Sequence, residues 1–170
     1  MSMNQIIQQL KKTKHILLAT HIHPDGDAIG SLLALGLALE EGLKKKVHLY
    51  NESGLPAVYH FLPSIHRIKN EPGDLQSYDT AVILDCSDLQ RVGKKAEAIS
   101  RIPVVINIDH HATNSRFGKY QLIDAKASAT AEVLHRLIVA KELPITTAKA
   151  YAIYTAIMAA TGHLRISNPK

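Results

Sequence analysis

The sequence predicts an α/β domain of three layers, a mostly parallel sheet flanked by helices. Short, continuous apolar runs at 16–19, 80–84 and 103–108 are rich in Ile, Val and Leu and bounded by polar turns. That is the pattern of strands buried on both faces in the interior of a parallel sheet. Between them lie longer stretches with helical spacing of apolar residues, the alternation expected of βαβ units. Composition agrees: 46% of the 170 residues are hydrophobic, only 5% are aromatic and there is no Trp, so the core rests on aliphatic side chains. A chain of this length can bury a proper single core.

In order, residues 4–12 read as a short amphipathic helix with Ile6, Ile7 and Leu10 on one face. A strand over 15–19 leads into a polar turn, and a helix follows from about 28 to 41. That helix is apolar nearly all round and must be covered on several sides, with Gly42 as its expected stop. A second strand spans 46–50. Residues 51–79 hold Pro56, Pro63 and Pro72 and predict turns with one short helix near 57–62, where His60 and His66 read as surface or packing residues. Strands at 80–84 and 103–108 flank a helix near 93–100. Residues 119–123 read as an edge strand, and helices over 128–142 and 146–160 complete the pattern. The first of these opens on Ser-Ala-Thr-Ala-Glu, with cap and first-turn acid, and the second has Thr146 as N-cap. The last ten residues hold Gly162, His163 and Arg165 and predict no further element.

No apolar stretch reaches membrane-spanning length, because Glu40 and Glu41 close the longest, and the N-terminus lacks a basic segment followed by an apolar one. A cytoplasmic protein with no membrane partner is expected. Cys86 is the single cysteine, which excludes an internal disulfide and, beside an acid at a strand end, reads as a buried inert thiol. The formal charge of +5 suits an anionic ligand, but the clusters Lys11-Lys12, Lys44-Lys45-Lys46 and Lys94-Lys95 read as solvated helix ends and turns.

Chemistry concentrates between Thr20 and Ser31, in the turn between a buried strand and a buried helix, where α/β proteins place their sites. His21, His23, Asp25 and Asp27 occupy every second position, and an extended segment would aim all four to one side. A plainer reading makes Asp27 a helix N-cap and the histidines solvent-facing. Two further strand ends decide between them. One carries Asp85 and Asp88, the other Asp109, His110 and His111, and in a parallel sheet all these ends open on one edge. So many acids and imidazoles without cysteine point to Mn²⁺, Mg²⁺ or Fe²⁺ rather than structural zinc. Such a crowd of carboxylates would repel unless cations sat among them, and paired metals are what phosphoryl hydrolysis uses.

These residues resemble a known family. His21-x-x-x-Asp25-x-Asp27, the strand-end Asp85, and Asp109-His110-His111 look like the first three motifs of the DHH phosphoesterases, a RecJ-like group. The fuller run from Pro24 to Ser31, the segment Asp88 to Gly93 with Arg91, and Ser128-Ala-Thr-Ala-Glu132 are most similar to one bacterial branch. That branch comprises the oligoribonucleases that also dephosphorylate 3'-phosphoadenosine 5'-phosphate, the nanoRNases. The resemblance implies a Rossmann-like DHH fold and two Mn²⁺ ions, with Mg²⁺ as a substitute. His21, Asp25 and Asp85 would hold one ion and Asp27, Asp85 and His110 the other. It also implies catalysis through a metal-activated hydroxide, with Asp85 as bridge, His111 donating to the scissile phosphate and Asp109 orienting the histidines. Arg91 and Arg116 are the further substrate-binding candidates, and His23 and Asn114 are read as solvent-contacting loop residues. Substrates would be short RNA or DNA oligonucleotides or nucleotide phosphates, and a homodimer is compatible with the family.

The chain departs from the family in two places. The fourth motif, Asp-Thr-Gly in the family, reads Ala160-Thr161-Gly162 here, and the lost carboxylate is expected to weaken the second ion and impair turnover. Family members continue into a smaller substrate-binding domain. The expectation is therefore that residues 1–170 are a single DHH domain without that partner, its substrate cleft lacking one wall. Two rival expectations follow: a non-catalytic remnant that binds metal and nucleotide, and a manganese inorganic pyrophosphatase.

Overall fold

The doubly apolar runs do occupy the middle of one parallel sheet. The computed structural model describes residues 3–162; His163 and Arg165 lie outside them. The chain begins with α1 (Met3–Lys12), β1 (His15–Thr20), α2 (Gly26–Leu43), β2 (Lys46–Tyr50), β3 (Ile68–Lys69) and β4 (Thr80–Leu84). It continues through α3 (Ala96–Ser100), β5 (Val104–Asp109), β6 (Tyr120–Ile123), α4 (Thr130–Val139) and α5 (Thr147–Ala160). The sheet order is β3-β2-β1-β4-β5-β6 and every pairing is parallel, with Ile16 opposite both Val47 and Thr80. The chain therefore winds outward in both directions from β1 and β4, and a crevice opens beyond their C-terminal ends.

Alternate strand residues feed two cores. Ile16, Leu18, Val82, Leu84, Ile106 and Ile108 pack with α1, α2, α4 and α5 on one face, while Leu17, Ala19, Ile83 and Val105 meet Val92 and Ile99 on the other. The central helix α2 is buried continuously from Gly26 to Leu39, as its all-round apolarity requires. Its glycines allow α5 to lie close: a Cβ on Gly30 would come 2.3 Å from the Ala152 carbonyl oxygen, and one on Gly26 would come 2.4 Å from Ala159 Cβ.

The structure corrects several expectations. Gly42 does not stop α2, which runs on to Leu43 and ends at Lys44 in the left-handed conformation (φ 54). Gly42 instead makes room for Leu143, whose Cδ2 would lie 2.5 Å from an added Cβ. The 51–79 region holds three 3₁₀ turns, Ala57–Tyr59, Ile65–Arg67 and Leu75–Ser77, and the two-residue edge strand β3, in place of one helix. The helix near 93–100 shortens to α3, preceded by a 3₁₀ turn at Leu89–Val92. The helix placed over 128–142 is α4, ten residues long, and the Thr146 hydroxyl makes no capping bond to α5. His60 and His66 are exposed, as expected. Among the described residues no helix is long and apolar enough to cross a membrane.

Candidate metal centre

Three strand ends converge on the crevice. His21 follows β1, Asp85 follows β4, and Asp109 ends β5 with His110 and His111 next to it. Asp85 is the hub. It is a non-glycine residue held at φ 56, a costly backbone conformation that persists where its surroundings fix it. Its N–H donates to the Ile108 carbonyl (3.1 Å), and the carboxylate is 2% exposed. Asp85 Oδ2 lies 3.6 Å from His21 Nε2, and Oδ1 lies 3.7 Å from His110 Nε2. One carboxylate thus sits between two imidazoles.

Both imidazoles are set in the tautomer a cation needs. His21 Nδ1 is 2.9 Å from the Ile22 carbonyl, and His110 Nδ1 is 3.3 Å from the Ala127 carbonyl. A carbonyl accepts only, so each Nδ1 carries a proton and each Nε2 faces Asp85, able to donate to the carboxylate when protonated and to ligate a cation when not. Burial opposes charge on His21, but the hydrogen bonds to Asp85 and the Ile22 carbonyl outweigh it and raise its pKa.

Asp25 and Asp27 are positioned by helix starts rather than by strand alternation. The 21–27 segment is not extended: His23 turns through the left-handed region (φ 53) and is exposed, its N–H donating to Ser53 Oγ. Asp25, whose side chain is 63% exposed, is the N-cap of α2, accepting from Ala28 N (3.0 Å) with Oδ1 4.0 Å from His21 Nε2. Asp27 is 2% exposed and caps a different helix. It accepts from Thr130 N (2.7 Å) and Ala131 N (3.0 Å), the first donors of α4, whose own N-cap residue, Ala129, has no side-chain acceptor. No side chain of the 128–132 opening caps α4 at Ala129, whereas Glu132 is the expected first-turn acid and accepts from Ser128 N and Oγ.

Electrostatics supply the fit test for a divalent ion. Burial, and then the charge of Asp85, push the Asp27 carboxyl well above the usual carboxylate range, against the helix N–H donors that lower it. Asp27 and Asp85 each lie within 3.7 Å of His110 Nε2, and a cation among them would relieve their mutual repulsion. The donors are oxygen and imidazole nitrogen only, which suits Mn²⁺, Fe²⁺ or Mg²⁺. His21, Asp25 and Asp85 offer ligand atoms within 4.8 Å of one another, as do Asp85, His110 and His111. In the second group His111 Nδ1 is hydrogen-bonded to Asp109 Oδ1 (2.7 Å), and Asp27 Oδ2 lies close by, 3.6 Å from His110 Nε2.

Behind the centre, Asp109 is fully buried. Burial would raise its carboxyl, but hydrogen bonds from His111 and Asn114 outweigh it and hold it below its ordinary value. His111 is raised in turn, first by the Asp109 hydrogen bond. Asn114 is not a solvent-facing loop residue: its amide spans Asp109 Oδ2 (2.6 Å), Asn107 Oδ1 (2.8 Å) and the Cys86 carbonyl (3.0 Å). Sequence reading also passed over buried Asn107, Asn51, which donates to the His21 carbonyl (2.7 Å), and Thr130, which donates to Asp85 Oδ1 (2.9 Å). Asn107 and Asn51 carry a legible signal, a polar residue inside or ending an apolar strand. Asp88 is exposed and caps the 89–92 turn. Arg91 binds the crevice loop through its carbonyl, which accepts from Ile22 N (2.8 Å), and its guanidinium lies 3.4 Å from Ser87 Oγ. Arg116 is exposed with its N–H on Asn114 Oδ1, and neither ligand group includes it. Ala160 ends α5, one residue past the Ala159 contact with Gly26.

This fold and this set of strand-end residues define a class, and residues 15–161 match the DHH family, N-terminal domain, to which the chain belongs. Over 154 residues it is 37% identical to the bifunctional oligoribonuclease and PAP phosphatase NrnA of Thermus thermophilus, a match covering 90% of this chain and 45% of that protein. It is 26% identical over 167 residues to the Bacillus subtilis protein of the same name, covering 96% and 51%. An exopolyphosphatase-related protein from Bacteroides fragilis superposes with a TM-score of 0.91 at 25% identity, over 99% of this chain and 52% of that one. The chain spans about half the length of these relatives.

Proposed function

We propose that this domain is the metal-binding half of a phosphoesterase that hydrolyses short oligonucleotides and nucleotide phosphates. The observation that carries this reading is Asp85, buried between two imidazoles that both present Nε2 to it. His21, Asp25 and Asp85 would hold one divalent ion, and Asp27, Asp85 and His110 a second, with Mn²⁺ the expected metal. When bound, such ions polarise phosphoryl oxygens and lower the pKa of water.

The chain's own groups do the rest. Asp109 holds Nδ1 of His111 and favours its protonated form, so Nε2–H is a charge-assisted donor for a phosphoryl oxygen. Asn114 fixes Asp109 from behind, and the backbone link from Arg91 to Ile22 keeps the 21–27 segment on the crevice. Arg91 and Arg116 are proposed as substrate-binding cations. The relatives named for oligoribonuclease and PAP phosphatase activity support nucleotide substrates over pyrophosphate.

Ala160 favours a second reading, a domain that binds metal and nucleotide without turnover. Mn²⁺ stoichiometry by calorimetry, with release of phosphate or mononucleotide from a dinucleotide and from PAP, separates the two. Two ions and turnover support the enzyme, with Ala160→Asp raising both. One ion and no turnover in either chain supports the binding module, and rapid hydrolysis of pyrophosphate alone supports the rival phosphatase.

A further inference from the structure

The turn that follows β2 grips the segment carrying His21. Asn51 is buried there, and its Nδ2 donates to the His21 carbonyl (2.7 Å) while its Oδ1 accepts from Ser53 N and Ser53 Oγ (both 3.1 Å). Ser53 Oγ in turn accepts from His23 N. Glu52, between them, holds the neighbouring loop: its Oε2 accepts from Lys94 N (2.8 Å), and its carboxylate packs against Gly93, where an added Cβ would lie 2.8 Å away. That loop carries the Arg91 carbonyl, which accepts from Ile22 N (2.8 Å). The two peptide units on either side of Ile22 are therefore each held at both ends. The first has its carbonyl on Asn51 and its N–H on Arg91; the second has its N–H on Ser53 and its carbonyl 2.9 Å from His21 Nδ1. A peptide unit is planar, so fixing its N–H aims its carbonyl.

We propose that Asn51 and Ser53 are positioning residues that set the tautomer of His21 and thereby its readiness to ligate a cation. The proposal rests on the metal-centre reading and deepens it. Two acceptors compete for the one proton of a neutral imidazole: the Ile22 carbonyl at Nδ1, and Asp85 Oδ2, 3.6 Å away, at Nε2. Only the Nδ1–H form leaves the Nε2 lone pair available to a metal. A carboxylate is the stronger acceptor, so the Nδ1–H form wins only where the Ile22 carbonyl is already aimed at the ring. Ser53 aims it, through the His23 N–H of the same peptide unit. That bond also holds His23 at φ 53, a left-handed conformation that persists in a residue with a Cβ only where its surroundings fix it. Asn51 fixes Ser53 and the His21 carbonyl with one buried amide. Neither residue belongs to the two ligand groups, so both act through His21.

The test follows the His21 ring nitrogens of the metal-free protein by long-range proton–nitrogen NMR correlation at alkaline pH, where imidazoles are neutral, together with Mn²⁺ titration calorimetry. The unaltered protein should show the Nδ1–H form. Ser53→Ala, at an exposed position, removes one hydroxyl and should shift His21 toward Nε2–H and weaken Mn²⁺ binding about tenfold or more, the effect of losing a group that orients a metal ligand. Asn51→Ala should do the same more strongly, and Ser53→Thr, which keeps the hydroxyl, should restore both readouts. Ile99→Val, in the core on the other face of the sheet, should lower the melting temperature and move neither, which separates positioning from lost stability. An unshifted tautomer in Ser53→Ala, or Mn²⁺ affinity within about twofold of the original, overturns the proposal whether or not Asn51→Ala folds. If the unaltered protein binds no Mn²⁺, the metal reading fails, and the tautomer alone decides the role of Asn51 and Ser53.

Discussion

Thr130→Val isolates one contact of the centre. The substitution keeps the shape of a fully buried side chain at the first position of α4 and removes the hydroxyl that donates to Asp85 Oδ1 at 2.9 Å. Helix propensity barely changes between the two residues. What changes is that a carboxylate oxygen 2% exposed loses a donor, which costs about 1–2 kcal/mol and, for a domain of this size, about 2–8 °C in Tm. The same hydrogen bond orients Asp85 between His21 and His110, so Mn²⁺ affinity should fall by about 10- to 100-fold. Differential scanning calorimetry of the metal-free protein and Mn²⁺ titration calorimetry read the two effects separately. Thr130→Ser keeps the donor and should restore both. If Thr130→Val melts with the original protein and binds Mn²⁺ within about twofold of it, Thr130 does not hold Asp85 and this account of the hub is wrong.

Gly30→Ala pushes a Cβ to 2.3 Å from the Ala152 carbonyl oxygen, which no side-chain rotation relieves, and should cost about 1–3 kcal/mol or more in urea unfolding. Arg136 pairs with Asp124 and Glu132, and both carboxyls are held below their ordinary values: Asp124 first by the Lys126 N–H, Glu132 by Ser128 and Arg136 against burial. A lowered carboxyl pKa adds stability above the unfolded value, near pH 4, that disappears as pH falls through the folded value. Arg136→Met should therefore cost about 0.2–1 kcal/mol at pH 7, and the difference should close in urea melts below about pH 4. Cys86 is fully buried, and burial followed by the Asp85 charge pushes its thiol well up, so a thiol reagent should label it only after unfolding.

Much of the fold was legible because three strands are apolar on both faces and need no context to be recognised. The two-residue β3 was not, since a strand that short has no period to read. Gly42 shows why a single letter misleads: glycine marks either a left-handed turn or a close approach, and only the position of Leu143 decides. The convergence of His21, Asp85 and His110 followed from parallel topology, but the reason offered for Asp25 and Asp27 did not survive. Each is placed as a helix cap, and the helix that Asp27 caps begins more than a hundred positions away. Thr130 and Asn114 were missed for the same reason. Their partners are distant in sequence, and a hydroxyl or amide near a turn looks alike whether it meets water or a buried acid.

The bond from Thr130 N to Asp27 has a consequence for biosynthesis. Nascent chain emerges from its N-terminus, so His21, Asp25 and Asp27 leave the ribosome long before the backbone donors that steady Asp27 exist. Early fragments carry Asp27 yet lack the helix start that orders it. The fixed orientation of Asp27 thus arrives late, when α4 docks and its first two N–H groups reach the carboxylate.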